Sequence, residues 1–196
     1  MTIATAPPKN HSAQDYLTLE VAADTRNEYR DGEIIPMTGG TPAHNKLASA
    51  LNALLWFALR KQPYDIFVTD QRLWIPDRNI YTYPDVMVMP RPAELMPGRK
   101  DTVINPTLIA EVLSDSTQDY DRAGKFEAYR TIATFEEYLL IDPSRPHVEQ
   151  YVKQAQNQWL FMEYNRLDQT MMLQSLKVEI AIAELYEAID FDTTNR

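Results

Sequence analysis

Between Thr41 and Lys61, Leu47, Leu51, Leu54, Leu55 and Ala58 recur three and four residues apart, which makes one helical face apolar. Thr41-Pro42 supplies an N-cap followed by proline at the first helical position, so the pattern predicts a helix over 43–61. A shorter helix over 13–23 follows Ser12-x-x-Asp15, which resembles a capping box with Asp in place of Glu. Elsewhere the period shortens to two, or the apolar residues run together. Residues 28–35 form a hairpin about Asp31-Gly32, because that pair tolerates the positive φ of a tight turn. Strands are predicted at 66–69, 72–75, 85–89, 108–113, 138–141 and 171–173. A hairpin joins 148–153 to 159–164 across a Gln/Asn-rich turn. The stretches 77–83 and 91–106 read as connections, 114–119 as a polar turn, 121–132 as a helix and 183–189 as a short helix. This order predicts an α/β (α+β) domain with one central mixed sheet, flanking helices and extra hairpins.

Length allows one domain with a real core, placed at 12–196 behind a tail at 1–11. Without cysteine the chain has no disulfides, thiolate zinc sites or cysteine nucleophiles. The longest apolar run, Leu54 to Leu59, is far short of the ~20 residues of a bilayer span. Met1 to Asn10 lacks a basic segment followed by an apolar core, so a cytoplasmic protein is expected. A net charge of −9 argues against a protein that coats nucleic acid, since non-specific binding comes from Lys and Arg meeting phosphates. It leaves room for a carboxylate metal centre. Phosphate-cradling glycine loops, a nucleophile elbow and zinc-like histidine spacing are all absent from the sequence.

Two acids interrupt apolar strands. Asp85 opens a strand after Pro84, and Glu111 sits among Leu, Ile, Ala and Val. An ionised carboxylate in such a strand must be paired, hydrogen-bonded or metal-bound. If the strands are neighbours, both acids converge, and hard oxygen ligands suit Mg2+ or Mn2+. For Glu111 an ion pair or a sheet-edge position is the alternative. Lys125 lies in the next helix and points back toward Glu111, or else pairs with Asp121 one helical turn earlier. Glu33, past the hairpin turn, and His44, in the first turn of a helix, are accessory candidates, each with a plain surface position as the alternative. Asp70 and Arg72 read as a surface ion pair.

An ordered set of segments carries a resemblance. They are Tyr29-Arg30-Asp31-Gly32-Glu33-Ile34, His44, Pro84-Asp85-Val86, Glu111-Val112-Leu113-Ser114-Asp115-Ser116-Thr117, Asp121 with Lys125 and Tyr129, and Glu137 to Pro143. Together, over roughly Tyr16 to Tyr186, they resemble the PD-(D/E)xK superfamily of restriction-endonuclease-like folds, and more closely its Uma-two branch common in cyanobacteria. The resemblance implies a metal-dependent endonuclease acting on DNA, with Asp85 and Glu111 as ligands of Mg2+ or Mn2+, and with Asp85, Glu111 and Lys125 as the active centre. Glu33, His44 and Asp121 would assist. Leu113 stands where the simple pattern has lysine, so Lys125 becomes the migrated replacement. The competing class is a nuclease-fold binding or assembly module without turnover. A homodimer is expected from the strand-rich C-terminal third with Trp159, Phe161 and Met162.

Overall fold

The computed structural model describes residues 10–115 and 117–191; the rest of the expected tail and Ser116 of the polar turn lie outside them. The elements are α1 (Ala13–Ala22), β1 (Asn27–Arg30), β2 (Glu33–Pro36), α2 (Pro42–Leu59), β3 (Tyr64–Val68), β4 (Arg72–Ile75), β5 (Ile80–Thr82), β6 (Val86–Pro90), β7 (Thr102–Val103) and β8 (Leu108–Val112). A helical segment follows in three consecutive pieces, Gln118–Tyr120, a π-helical turn Asp121–Lys125, and Phe126–Tyr129, here called the site helix. Then come β9 (Glu137–Ile141), β10 (Val148–Ala155), β11 (Gln158–Tyr164), β12 (Thr170–Leu173), β13 (Val178–Ala181) and a helical turn, Ile182–Leu185.

The centre is a six-stranded mixed sheet in the order β11-β10-β9-β8-β6-β3, in which β8 and β9 run parallel and the other neighbours antiparallel. A parallel pair needs a crossover, and the site helix is that crossover. Alternation along β8 sends Leu108, Ala110 and Val112 toward α2, where Leu47, Leu51, Leu55 and Leu59 close the core. Ile109 and Leu113 face the other way, onto Tyr129, Phe135 and Tyr138. Glu111 shares their parity and therefore faces the site helix.

The expected single sheet is in fact accompanied by a second of five strands, β2-β1-β5-β4-β7. Two predicted connections contain its strands: β5 lies within 77–83 and β7 within 91–106. Both are too short for a period to show. The terminal helix expected at 183–189 is one turn, because β13 occupies 178–181 and pairs with β12. Asp31 and Gly32 both take positive φ, 42° and 107°, as the hairpin turn requires. Ser12 and Asp15 bond each other's backbone N–H in the capping box. The buried carboxylate of Glu137 accepts from Gln150 Nε2, from Ser175 Oγ at 2.5 Å and from the Ser175 and Gln174 amides, tying β9 and β10 to the turn after β12.

Arg72 is not on the surface. It is buried, donating to Thr102 Oγ1 at 2.9 Å and pairing with Asp101 at 2.7 Å, while Asp70 sits near Arg26. Of the aromatic residues expected at an exposed edge, Trp159 is half-buried against Phe126 and Phe135, whereas Phe161 is 46% exposed on the edge strand β11. No helix among the described residues is long and apolar enough to cross a membrane.

Leu51 is fully buried at the α2–sheet contact. Leu51→Ala should therefore lower the unfolding free energy by about 2–5 kcal/mol, the cost of lost transfer energy plus a cavity. Urea titration checks this; a loss below about 1 kcal/mol would mean that α2 does not seat on the sheet as described.

Candidate active site

The register of β6 with β8 pairs Val86 with Ala110, so Asp85, one residue earlier, comes level with Glu111. The two residues interlock. The Asp85 amide donates to Glu111 Oε2 at 3.3 Å, and the Val112 amide donates to Asp85 Oδ2 at 2.8 Å. Asp85 Oδ2 also lies 3.1 Å from His44 Nε2, carried there by the first turn of α2. That turn is fixed by Thr41, whose hydroxyl accepts from the His44 amide at 3.2 Å.

Lys125 enters from the opposite side. Its Nζ is 3.0 Å from Glu111 Oε1, 3.0 Å from Asp121 Oδ1 and 3.8 Å from Glu28 Oε1. The two alternatives for this lysine are therefore both realised: it pairs with Asp121 and reaches Glu111. The π-helical turn spans Asp121 to Lys125, and both ends are buried; such turns are frequent at functional sites. Tyr129, one turn later, donates to Glu111 Oε1 at 2.7 Å. Thr117 donates to Asp121 Oδ2 at 2.6 Å and is itself 2.8 Å from the Ser114 hydroxyl.

Burial drives the electrostatics. Removal from water pushes the Glu111 carboxyl up to about 8; Lys125 opposes this, and Asp85 and Asp121 add to it. Burial alone would lower Lys125, yet Glu111, Glu28 and Asp121 together hold it charged well above the usual lysine range. Burial also works against Glu28, but Lys125, the Thr82 hydroxyl and Arg30 keep its carboxyl below the usual range. Burial puts the Tyr129 phenol well above its ordinary value, so it is a donor. The hydrogen bond to Asp85 raises His44 against burial, which opposes the shift.

The structure thus brings Asp85, Glu111, Lys125, Asp121 and His44 into one cluster. It does not bring Glu33. Glu33 is exposed at the start of β2, opposite Arg30 in the hairpin, and among the described residues it makes no contact with the cluster. The hairpin acid that does reach is Glu28, buried on β1 with Arg30 at 2.6 Å and the Thr82 hydroxyl at 2.5 Å. The sequence carried a signal for it: Glu28 and Arg30 alternate on one face of a four-residue strand. Which face was inward became clear only when β5 paired with β1. Tyr129 belongs to the segments that carry the resemblance, which gives it no role of its own.

No trio of His, Cys, Asp or Glu among the described residues is arranged to hold an ion unaided. Two carboxylates completed by water nevertheless suit Mg2+, which keeps several waters. Asp85 Oδ1 accepts no hydrogen bond from the described residues, and Glu111 Oε2 accepts only the Asp85 amide, so two hard oxygens remain for such an ion.

A mixed sheet with paired carboxylates and a lysine at the crossover helix defines a restriction-endonuclease-like domain. A crystal structure from Anabaena variabilis, described as "a putative nuclease belonging to DUF820", shares this fold with a TM-score of 0.73 at 19% identity, covering 90% of this chain and 98% of that one. The chain belongs to the Uma2 family, described as "Putative restriction endonuclease", which matches residues 13–183. Two relatives come from Synechocystis sp. Uncharacterized protein sll1609 is 43% identical over 163 residues, 83% of this chain and 91% of its own length. Uncharacterized protein slr1290 is 32% identical over 188 residues, 95% and 96% of the two chains.

The His44–Asp85 contact has a testable pH signature. Because the folded-state value of His44 lies above 6.5, the contact adds stability that is fully present below about pH 6.5 and is lost as pH rises through the folded value. The stability gap between wild type and His44→Asn should be widest below about pH 6.5 and close as pH rises through the raised folded-state value. Denaturant titrations over that range would show it; a gap independent of pH would rule out a charged pair.

Proposed function

We propose that this chain is a divalent-metal-dependent endonuclease hydrolysing DNA phosphodiester bonds. The observation that carries the reading is the meeting of two strand carboxylates, Asp85 and Glu111, with a buried lysine. Asp85 and Glu111 would hold Mg2+ or Mn2+, which when bound activates water and takes up charge at the phosphate. The protein's own part is positioning. His44 and the Val112 amide fix Asp85 Oδ2, which leaves Oδ1 for an ion. Tyr129 and Lys125 fix Glu111 Oε1, which leaves Oε2 beside the Asp85 amide. Lys125 supplies a fixed positive charge beside the two proposed metal ligands, the role that Leu113 cannot fill. Asp121 is a positioning residue that shares the ammonium with Glu111.

The acidic chain favours one alternative, a nuclease-fold module that binds or assembles without turnover. Supercoiled plasmid and single-stranded DNA, incubated with Mn2+, Mg2+ or EDTA, separate the two. The proposal expects cleavage that EDTA and Asp85→Asn or Glu111→Gln abolish. Lys125→Met should cut the rate by about 10²–10³ in protein shown to be folded. Cleavage that survives EDTA or Asp85→Asn would sink the assignment, and binding without turnover in any metal would point to the module. A homodimer is proposed through the edge strand β11, where Phe161 and Leu160 are exposed. Light scattering that gives a monomer mass at micromolar concentration would reject it.

A further inference from the structure

Gly124 interrupts the site helix, where glycine is the poorest helix former after proline. The reason for it is local. A Cβ at Gly124 would overlap Cε2 and Cδ2 of the Tyr120 ring, so the ring lies against helix backbone that only glycine leaves bare. The guanidinium of Arg30 lies over that ring, 3.5 Å from its centroid. Nη2 of Arg30 is held at 2.6 Å by Glu28 Oε2. A ring and a carboxylate therefore fix one arginine, and a helix glycine makes room for the ring.

The rest of the fork is unused. Arg30 Nε is buried and finds no acceptor among the described residues, and Nη1 donates to none of them either. Nε itself is closed off from solvent, but the side chain as a whole is 25% exposed. A buried N–H without an acceptor is costly and is kept where something else completes it. Through Glu28 this fork stands one carboxylate away from Lys125, which in turn holds Glu111. Lys125 is enclosed by three carboxylates, and Arg122 is committed to Glu149 and Gln118. Of the cluster's two permanent cations, Lys125 and Arg30, Arg30 is the one with donors to spare among the described residues.

We propose that Arg30 grips a phosphodiester oxygen of the nucleic-acid backbone beside the Asp85–Glu111 centre, an inference that rests on the nuclease reading. With Nη2 held by Glu28, Nη1 still has donors for one phosphate oxygen, and stacking on Tyr120 orders the guanidinium before the ligand arrives.

Steady-state cleavage of a duplex oligonucleotide in Mn2+, measured across salt concentrations, tests it. Arg30→Gln should raise KM about tenfold with a smaller change in kcat, the loss of one charge-assisted contact. It should also reduce the salt slope of log kcat/KM by about 1. Arg30→Lys should recover the slope but only part of KM. Gly124→Ala, which leaves Arg30 in place but displaces Tyr120, should raise KM in the same direction. Arg166→Gln, an exposed arginine paired with Asp168, should change nothing. Melting curves confirm that each variant is folded; if Arg30→Gln does not fold, Arg30→Lys and Gly124→Ala decide. A wild type that cleaves while the folded Arg30 and Gly124 variants keep KM and salt slope overturns the assignment and leaves the nuclease reading intact. A fall in kcat alone would equally overturn it, marking Arg30 as a charge balance for Glu28. A wild type that neither binds nor cuts nucleic acid overturns both.

Discussion

One buried ammonium group holds this molecule's parts in register. Lys125 Nζ meets Glu111 from β8, Asp121 from its own helix and Glu28 from β1. These belong to the six-stranded sheet, the crossover helix and the five-stranded sheet respectively. Taking charges out of water is expensive, and a buried pair recovers that cost only with good geometry and further hydrogen bonds. The further bonds are present: Tyr129 and the Asp85 amide on Glu111, Thr117 on Asp121, Thr82 and Arg30 on Glu28. Removing the lysine would strand three carboxylates in low dielectric, so the two sheets and the helix depend on one another through it.

The backbone makes this convergence possible in two ways. The two-residue period of β8 puts Glu111 on the face opposite Ala110, and the parallel partner β9 demands a crossover that covers that face. After its first three residues the crossover helix passes through a wider π turn, in which Asp121 and Lys125 both reach inward. Thr117 links the loop after β8 to that turn through Asp121, so the loop and the helix start are set together. A site on a strand and the helix that follows it is held more rigidly than one on loops.

Much of this was legible in the sequence because the signals were local and periodic. The α2 face, the Asp-Gly hairpin and the apolar strands around Asp85 and Glu111 are each fixed by residues within a dozen positions. An acid in an apolar strand is a local anomaly with a known cost, which is why Asp85 and Glu111 stood out. What did not show depends on pairing. Strands β5 and β7 have three and two residues, too few to carry a period. The sheet they form is what buries Arg72, which the sequence places in a surface ion pair, and Glu28, so the sequence points to Glu33 as the hairpin acid instead. The π turn was equally silent, because Asp121 and Lys125 keep the i, i+4 spacing of an ordinary helix.

Counting charge in the cluster explains why its groups titrate as they do. Four carboxylates, on Asp85, Glu111, Asp121 and Glu28, surround two permanent cations, Lys125 and Arg30. The surplus is negative and largely buried. A proton on Glu111 relieves it, and so does a proton on His44; both groups are displaced toward the protonated form, Glu111 by burial and His44 by Asp85. A divalent cation at Asp85 and Glu111 would relieve the same surplus by two charges at once. Protons and such an ion would then be alternatives for one deficit, so binding an ion would release protons from Glu111 and His44. The excess of carboxylates that makes the cluster electrostatically uncomfortable is therefore the same feature that would let it hold a divalent ion, with Lys125 fixing the geometry.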